Sequence, residues 1–221
     1  MVKLFLYNTI TESADSETPA QTRDRLKVHF PPGSVRRMTQ LGMLIGSVLK
    51  PMLPAKNDTL IYSSEFGESR ALENYLESFP HPSPTLFQTS IHPSGVQQGL
   101  ISTQSAIEHL FPISGGPQGT VEALLIAALA STNRSIFCGG EERATWLTEH
   151  EVASAHTFAF SCELSTQSKL TNTPQASIEL LPTIESGSLP IIAWHDLLLQ
   201  RQPFNGPAAD GWHLHLHWLS Q

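Results

Sequence analysis

The chain has 221 residues, long enough for one generous domain or two small ones and for a core that needs no disulfide or metal staple. Charged residues make up 15%, against about 25% in a typical globular protein, so an unusual share of the surface is uncharged and suited to burial against a partner. The balance of 13 basic and 20 acidic residues, net −7 with Lys and Arg scattered, leaves no footprint for nucleic acid or anionic lipid.

Residues 2–7 read as an opening strand, too short in apolar character for a signal peptide. Residues 9–24 are rich in Thr, Ser, Asp and Glu without periodicity and read as a mobile loop, followed by a turn at Pro31-Pro32-Gly33. Residues 39–49 carry Leu41, Met43, Leu44, Ile45, Val48 and Leu49, a buried-helix pattern that stops at Pro51. Residues 59–62 are a short strand. Residues 64–76 read as a helix with its Glu and Arg outward and Leu72, Tyr75 and Leu76 inward. Three prolines make residues 79–84 irregular.

Residues 107–114 read as a strand from which Pro112 removes one ladder donor. The turn Ser114-Gly115-Gly116-Pro117-Gln118-Gly119 leads from it into a helix over 120–130. The run 123–130 is the longest uninterrupted apolar stretch, far short of the ~20 residues that span a membrane. Residues 135–138 form a strand running into Gly139-Gly140-Glu141-Glu142. Further strands are expected at 156–164 and 177–181, and an amphipathic helix at 189–199. Residues 212–218 alternate strictly and read as the last strand. Strands alternating with helices, without an internal repeat, give an α/β layer fold in one domain over 1–221.

A strand, a glycine-rich turn and a helix N-terminus together can stabilise an anion or a nucleophile. Here the turn holds no Cys, no Lys follows as in a P-loop, and Ser114 is its only hydroxyl before the helix, without a surrounding G-x-S-x-G. Cys138 is either a reactive thiol or a buried inert one, and its apolar strand favours the second; Cys162 reads the same way. Nothing points to a disulfide framework, and a cytoplasmic protein is expected. His213, His215 and His217 share one face of their strand; they are a transition-metal set or the polar outer face of a half-buried strand whose other face is Trp212, Leu214, Leu216 and Trp218. His92 can orient a neighbour or simply anchor its loop. Glu141 and Glu142 look like a solvated or capping pair rather than an acid/base dyad.

The order of these motifs is familiar. The run Pro84-Thr85-Leu86-Phe87-Gln88-Thr89-Ser90-Ile91-His92 leads into a helix; then come the strand, the glycine turn, its helix, and Ser135-Ile136-Phe137-Cys138-Gly139-Gly140-Glu141-Glu142. This resembles the N-terminal half of β-ketoacyl synthases. It is similar, more narrowly, to the short β-ketoacyl synthase-like N-terminal domain family of aryl polyene pigment clusters, whose members look like truncated chain-length factors. Gly211-Trp212-His213-Leu214-His215 fits that family's terminal strand. The resemblance implies a thiolase-like half fold, a mixed β-sheet layered with helices.

It also implies a nucleophile at or near Gly116, where this chain has no thiol. The two histidines and the lysine of an active synthase come from a C-terminal half that this chain does not reach. The expectation is therefore a non-catalytic, chain-length-factor-like subunit, without cofactor or metal, that forms a heterodimer with an active β-ketoacyl synthase in polyene or polyketide synthesis and meets acyl carrier protein only indirectly. By resemblance, Ile107, Leu110, Phe111, Ile113 and Ser114 lie at the heterodimer interface, and Leu86, Phe87 and His92 wall the acyl tunnel. The rival is a small stand-alone acyl hydrolase or acyltransferase that uses Ser114 or Cys138 with His92 as base; a free acyl-chain binding protein is a third reading.

Overall fold

The computed structural model describes residues 1–114, 116–132, 134–168 and 173–219. Among these residues eight strands share one sheet: β1 (Val2–Ser13), β2 (Thr59–Ser64), β3 (His109–Ser114), β4 (Ser135–Glu141), β5 (Phe158–Ser165), β6 (Ala176–Pro182), β7 (Phe204–Ala209) and β8 (Trp212–Trp218), in the order β3-β2-β4-β5-β1-β6-β8-β7. β2 pairs in parallel with β3 and with β4; the other pairings among the described residues are antiparallel. The expected mixed sheet is thus built from a parallel corner continued by antiparallel strands, with β1 inserted between β5 and β6.

Helices cover both faces. On one side α1 (Pro19–Leu26), α2 (Gln40–Leu49) and α5 (Ser94–Thr103) close a core around Leu60, Tyr62, Ile136 and Cys138. On the other, α6 (Gly119–Leu129) and α8 (Ile191–Gln200) pack on Leu4, Leu6, Phe137 and Phe160. Between them in sequence lie α3 (Ser69–Leu76), α4 (Pro84–Thr89) and the short α7 (Trp146–Glu149). The apolar positions of α2 go nearly all round, so the helix sits inside the molecule with every residue but Ser47 buried. Thr39 caps it by accepting the Gly42 N–H at 2.9 Å. Gly46 lets α5 approach, because a Cβ there would lie 2.6 Å from the Phe30 ring and 3.4 Å from the Gly99 Cα. No helix among the described residues is long and apolar enough to cross a membrane.

Three expectations fail, each for a physical reason. Residues 9–24 are not a loop. β1 passes a bulge between Tyr7 and Ile10, with Asn8 at φ +48°, and then pairs with β5 as far as Ser13. Thr18 and Gln21 form a capping box that starts α1, and Arg25 ties that helix to Glu12 and Glu17 at 2.8 Å each. The polarity of this stretch records exposure, not irregularity. The helix expected from 64 starts only at Ser69, and its faces are inverted: Leu72 and Leu76 are 38% and 40% exposed while Glu73 is fully buried. Glu73 accepts the N–H groups of Thr145 (2.8 Å) and Leu147 (2.7 Å) and pairs with Arg70 at 2.7 Å, so a satisfied carboxylate docks α7 against α3. Burial alone would raise its pKa; the bonds from Leu147, Arg70 and Thr145 outweigh that and hold it below the ordinary value. Finally, β4 runs straight through Gly139 and Gly140 to Glu141, because at both glycines a Cβ would collide with a neighbouring carbonyl, that of Ser63 and that of Phe158.

Candidate functional site

Because β2, β3 and β4 run parallel, their C-terminal ends lie side by side and bring Ser64, Ser114 and Glu141 to one rim of the sheet. This is the side of an α/β sheet where ligands meet the chain. From β3 the backbone turns toward α6 through Gly116, whose φ is +96°. A Cβ at Gly116 would meet no atom within 4 Å, so it is the left-handed backbone and not crowding that calls for glycine. The position expected to carry a nucleophile therefore carries none. Gly115 lies outside the described residues.

His92, just before α5, stacks on the Tyr62 ring at 5.0 Å and 16°. Its Nδ1 is 3.0 Å from Glu68 Oε2. Glu68 Oε1 in turn accepts the Gly95 N–H at 2.9 Å and the Tyr62 hydroxyl at 3.5 Å. Burial, then the nearby Glu68 and Glu141, pushes the Tyr62 phenol well above its usual range, which keeps it a donor. The other ring nitrogen, Nε2, is buried without a hydrogen-bond partner among the described residues. His92 is thus an anchored residue. It nevertheless lines one cleft of about 260 Å³ with Ser114, Ser90, Phe66 and Glu68. The structure brings together Ser114 and His92, which the hydrolase reading needs, but with Nε2 sealed and no Ser114–His92 hydrogen bond among the described contacts. A general base must reach the hydroxyl it activates, directly or through one water.

Glu141 and Glu142 are both buried, which corrects the expectation of a solvated pair. Glu142 does cap: its Oε2 accepts the Leu41 N–H in the first turn of α2 at 3.0 Å. Burial raises its carboxyl to about 7. Glu141 Oε1 accepts from Ser64 Oγ (2.9 Å) and from the Glu65 N–H (2.6 Å), fixing the turn that floors the His92 cleft. Burial pushes Glu141 up to about 8, so it is mainly a neutral acid at pH 7. Cys138 and Cys162 are fully buried free thiols whose burial raises them far above the ordinary range, and neither is a nucleophile here.

The residues expected at the interface lie on an open edge. Among the described residues β3 has only β2 beside it, and Phe111 is 44% exposed. Leu110 and Ile113 are half-buried and pack on opposite cores of this chain, and Ile107 precedes the strand rather than opening it. Phe79, Phe87 and Ile91 are also exposed, with the Tyr75 ring 5.5 Å from Phe79 and 5.3 Å from Phe87. The expected tunnel residues do not meet in one cavity: His92 lines the cleft above, Leu86 lines a second one beyond α4, and Phe87 is on the outside. On β8, His213 Nε2 is 2.7 Å from Asn205 Oδ1 and its ring is 4.8 Å from His215, and His217 is exposed. Among the described residues no cluster of His, Cys, Asp or Glu is arranged to hold a metal. Glu68 and Tyr62 carried no signal in the sequence, since neither lies in a motif and the network closes only in three dimensions.

No protein-family model and no curated protein matches the sequence. Solved structures do. The complex of the ketosynthase ApeO with its chain length factor ApeC from Xenorhabdus doucetiae matches with a TM-score of 0.68 and 18% identity, over 98% of this chain and 100% of the matched one. The ishigamide ketosynthase/chain length factor matches with a TM-score of 0.57 and 11% identity, over 82% of this chain and 68% of the other. The chain has the thiolase-like fold of such proteins, as the resemblance implied.

Proposed function

We propose that the chain is a non-catalytic, chain-length-factor-like subunit, one domain over residues 1–221, that pairs in the cytoplasm with an active β-ketoacyl synthase of an aryl polyene-type pathway and shapes its acyl tunnel. The observation that carries this reading is the β3–α6 corner. The strand that leads to the degenerate turn runs along the open edge of the sheet with Phe111 outward, and the turn itself holds Gly116. An exposed strand edge is a template for pairing, and a partner's strand added there brings main-chain bonds as well as apolar burial. The full-length fit to a chain of a ketosynthase–chain length factor complex supports the same reading. Without a nucleophile, neither acyl loading nor condensation has its first group. Acyl carrier protein then reaches this subunit only through the partner.

The test is co-expression with the neighbouring synthase and size-exclusion of the pair. One-to-one co-elution is expected, and a well-behaved monomer that ignores the synthase overturns the pairing. Incubation with an acylated carrier protein is expected to leave the mass of this chain unchanged. An acyl adduct on Ser114 would instead establish the hydrolase or acyltransferase reading that the shared Ser114–His92 cleft offers.

A further inference from the structure

Half of the chain's eight arginines line a single cleft of about 410 Å³: Arg23 on α1, Arg36 and Arg37 in the turn before α2, and Arg70 on α3. In a chain of net charge −7 this concentration does not follow from composition. Neighbouring cations are paired with carboxylates: Arg25 on α1 with Glu12 and Glu17, and Lys27 just past it with Asp24. In the cleft, Arg70 is held by Glu73. Among the described residues, Arg36 and Arg37 meet no carboxylate, and Nε of Arg23 is buried with no hydrogen-bond partner. A buried donor without an acceptor costs free energy that a bound acceptor recovers. The carboxyl that lines the cleft, Glu142, already accepts from Leu41, and its burial favours the neutral form. Thr39 and Gln40, at the positive N-terminal end of α2, complete the wall.

We propose that this cleft binds a phosphate oxyanion, free or carried on a small molecule, held by Arg23, Arg36 and Arg37. Planar guanidinium forks match phosphate oxygens in bidentate pairs, which a point-like ammonium does not. The site does not rest on the pairing with a synthase.

The full chain is titrated with inorganic phosphate, pyrophosphate and 4′-phosphopantetheine by calorimetry and by thermal midpoint, with acetate and chloride at equal ionic strength as controls. Phosphate compounds are expected to bind and raise the midpoint, because a ligand of the folded state stabilises it by mass action. The pair Arg36→Ala with Arg37→Ala is expected to lose about tenfold or more in affinity, a change of about 1.4 kcal/mol. Both residues are exposed, so the midpoint without ligand should not move. The pair Arg36→Lys with Arg37→Lys should fall between, and Lys56→Ala, elsewhere on the surface, should bind as the parent does. Phosphopantetheine binding tighter than inorganic phosphate assigns a carried phosphate; equal binding assigns the free ion. No response to any phosphate compound, equal response to acetate or chloride, or full affinity in the double alanine variant overturns the site.

Discussion

β5 and β3 belong to one sheet, yet all eight residues of β5 are buried and none of the six of β3 is. β5 has β4 and β1 as neighbours and helices over both faces, so even its polar residues Ser161, Glu163 and Ser165 are buried along with its apolar ones. β3 has one neighbour, and its Phe111 faces outward. The same kind of side chain thus closes a core in one place and stays open in the other. Pro112 blunts the β3 edge by removing a donor, which limits promiscuous pairing without closing the edge to a partner of the right shape. Comparison of the two strands shows which apolar residues hold this chain together and which are available to hold it to something else.

The sharpest way to break that contrast is to shorten one aromatic in each strand. Phe160 is fully buried, with its ring edge-on to Phe137 at 5.1 Å. Phe160→Ala is expected to cost about 3–5 kcal/mol in urea unfolding. Phe111→Ala should cost under ~1 kcal/mol in the same assay, as surface changes do. Phe111→Asp should nonetheless abolish co-purification with the synthase. Ile113→Asp is a poorer probe, since Ile113 also packs on this chain's own core. A large loss of stability in Phe111→Ala, or retained co-purification in the Asp variant, would erase the distinction.

An intermediate effect comes from the rim between the two regions. In the fold Glu141 takes up its proton near pH 8, whereas its ordinary value is 4.5. The folded state therefore binds more protons than the unfolded one between those values, and stability falls as pH rises through that window. From pH 6 to pH 8 the loss from Glu141 should be about 2 kcal/mol. Glu141→Gln, neutral at every pH, should flatten this slope in urea titrations, and an unchanged slope would mean that the carboxyl is ionised in the fold.

A similarly small effect on stability is expected at Phe87, 48% exposed. Phe87→Ala should cost about 1 kcal/mol or less, mostly its contact with Tyr75, and leave the complex intact. If Phe87 walls the partner's tunnel, the products of that complex lengthen, as read by mass spectrometry. Unchanged products remove it from the wall.

Elements whose side chains face one environment were legible in the sequence. α2 is buried nearly all round and α6 along the face it turns to the sheet, and both read as apolar helices; β8 alternates because one of its faces is solvated. Legibility failed where pairing overrides polarity. The far half of β1 is polar but hydrogen-bonded past a bulge, and β7 hides behind Gly206 and Pro207 at the opposite edge of the sheet. Glu73 inverts the faces of α3 because its donors, at Thr145 and Leu147, come from far along the chain. For the candidate site, the lack of a thiol around Gly116 could be read directly. The Glu68–His92–Tyr62 network and the arginine cleft could not, since each joins segments that only the fold brings together.

The place of β1 in the middle of the sheet sets the order in which the molecule can assemble on the ribosome. Asn8 meets Glu163 of β5, 155 residues later in the chain. Until β5 has emerged, β1 has no strand to pair with, while β2, β3 and β4 with their helices can already form a parallel half-sheet. That nascent half has two unpaired edges, β3 on one side and β4 on the other. Contacts this distant in sequence form slowly and lengthen the time an edge stays open to wrong pairing. β5 eventually seals β4 from within the chain, but among the described residues no strand covers the outer edge of β3, so a subunit pairing there as proposed would also shield that edge during synthesis.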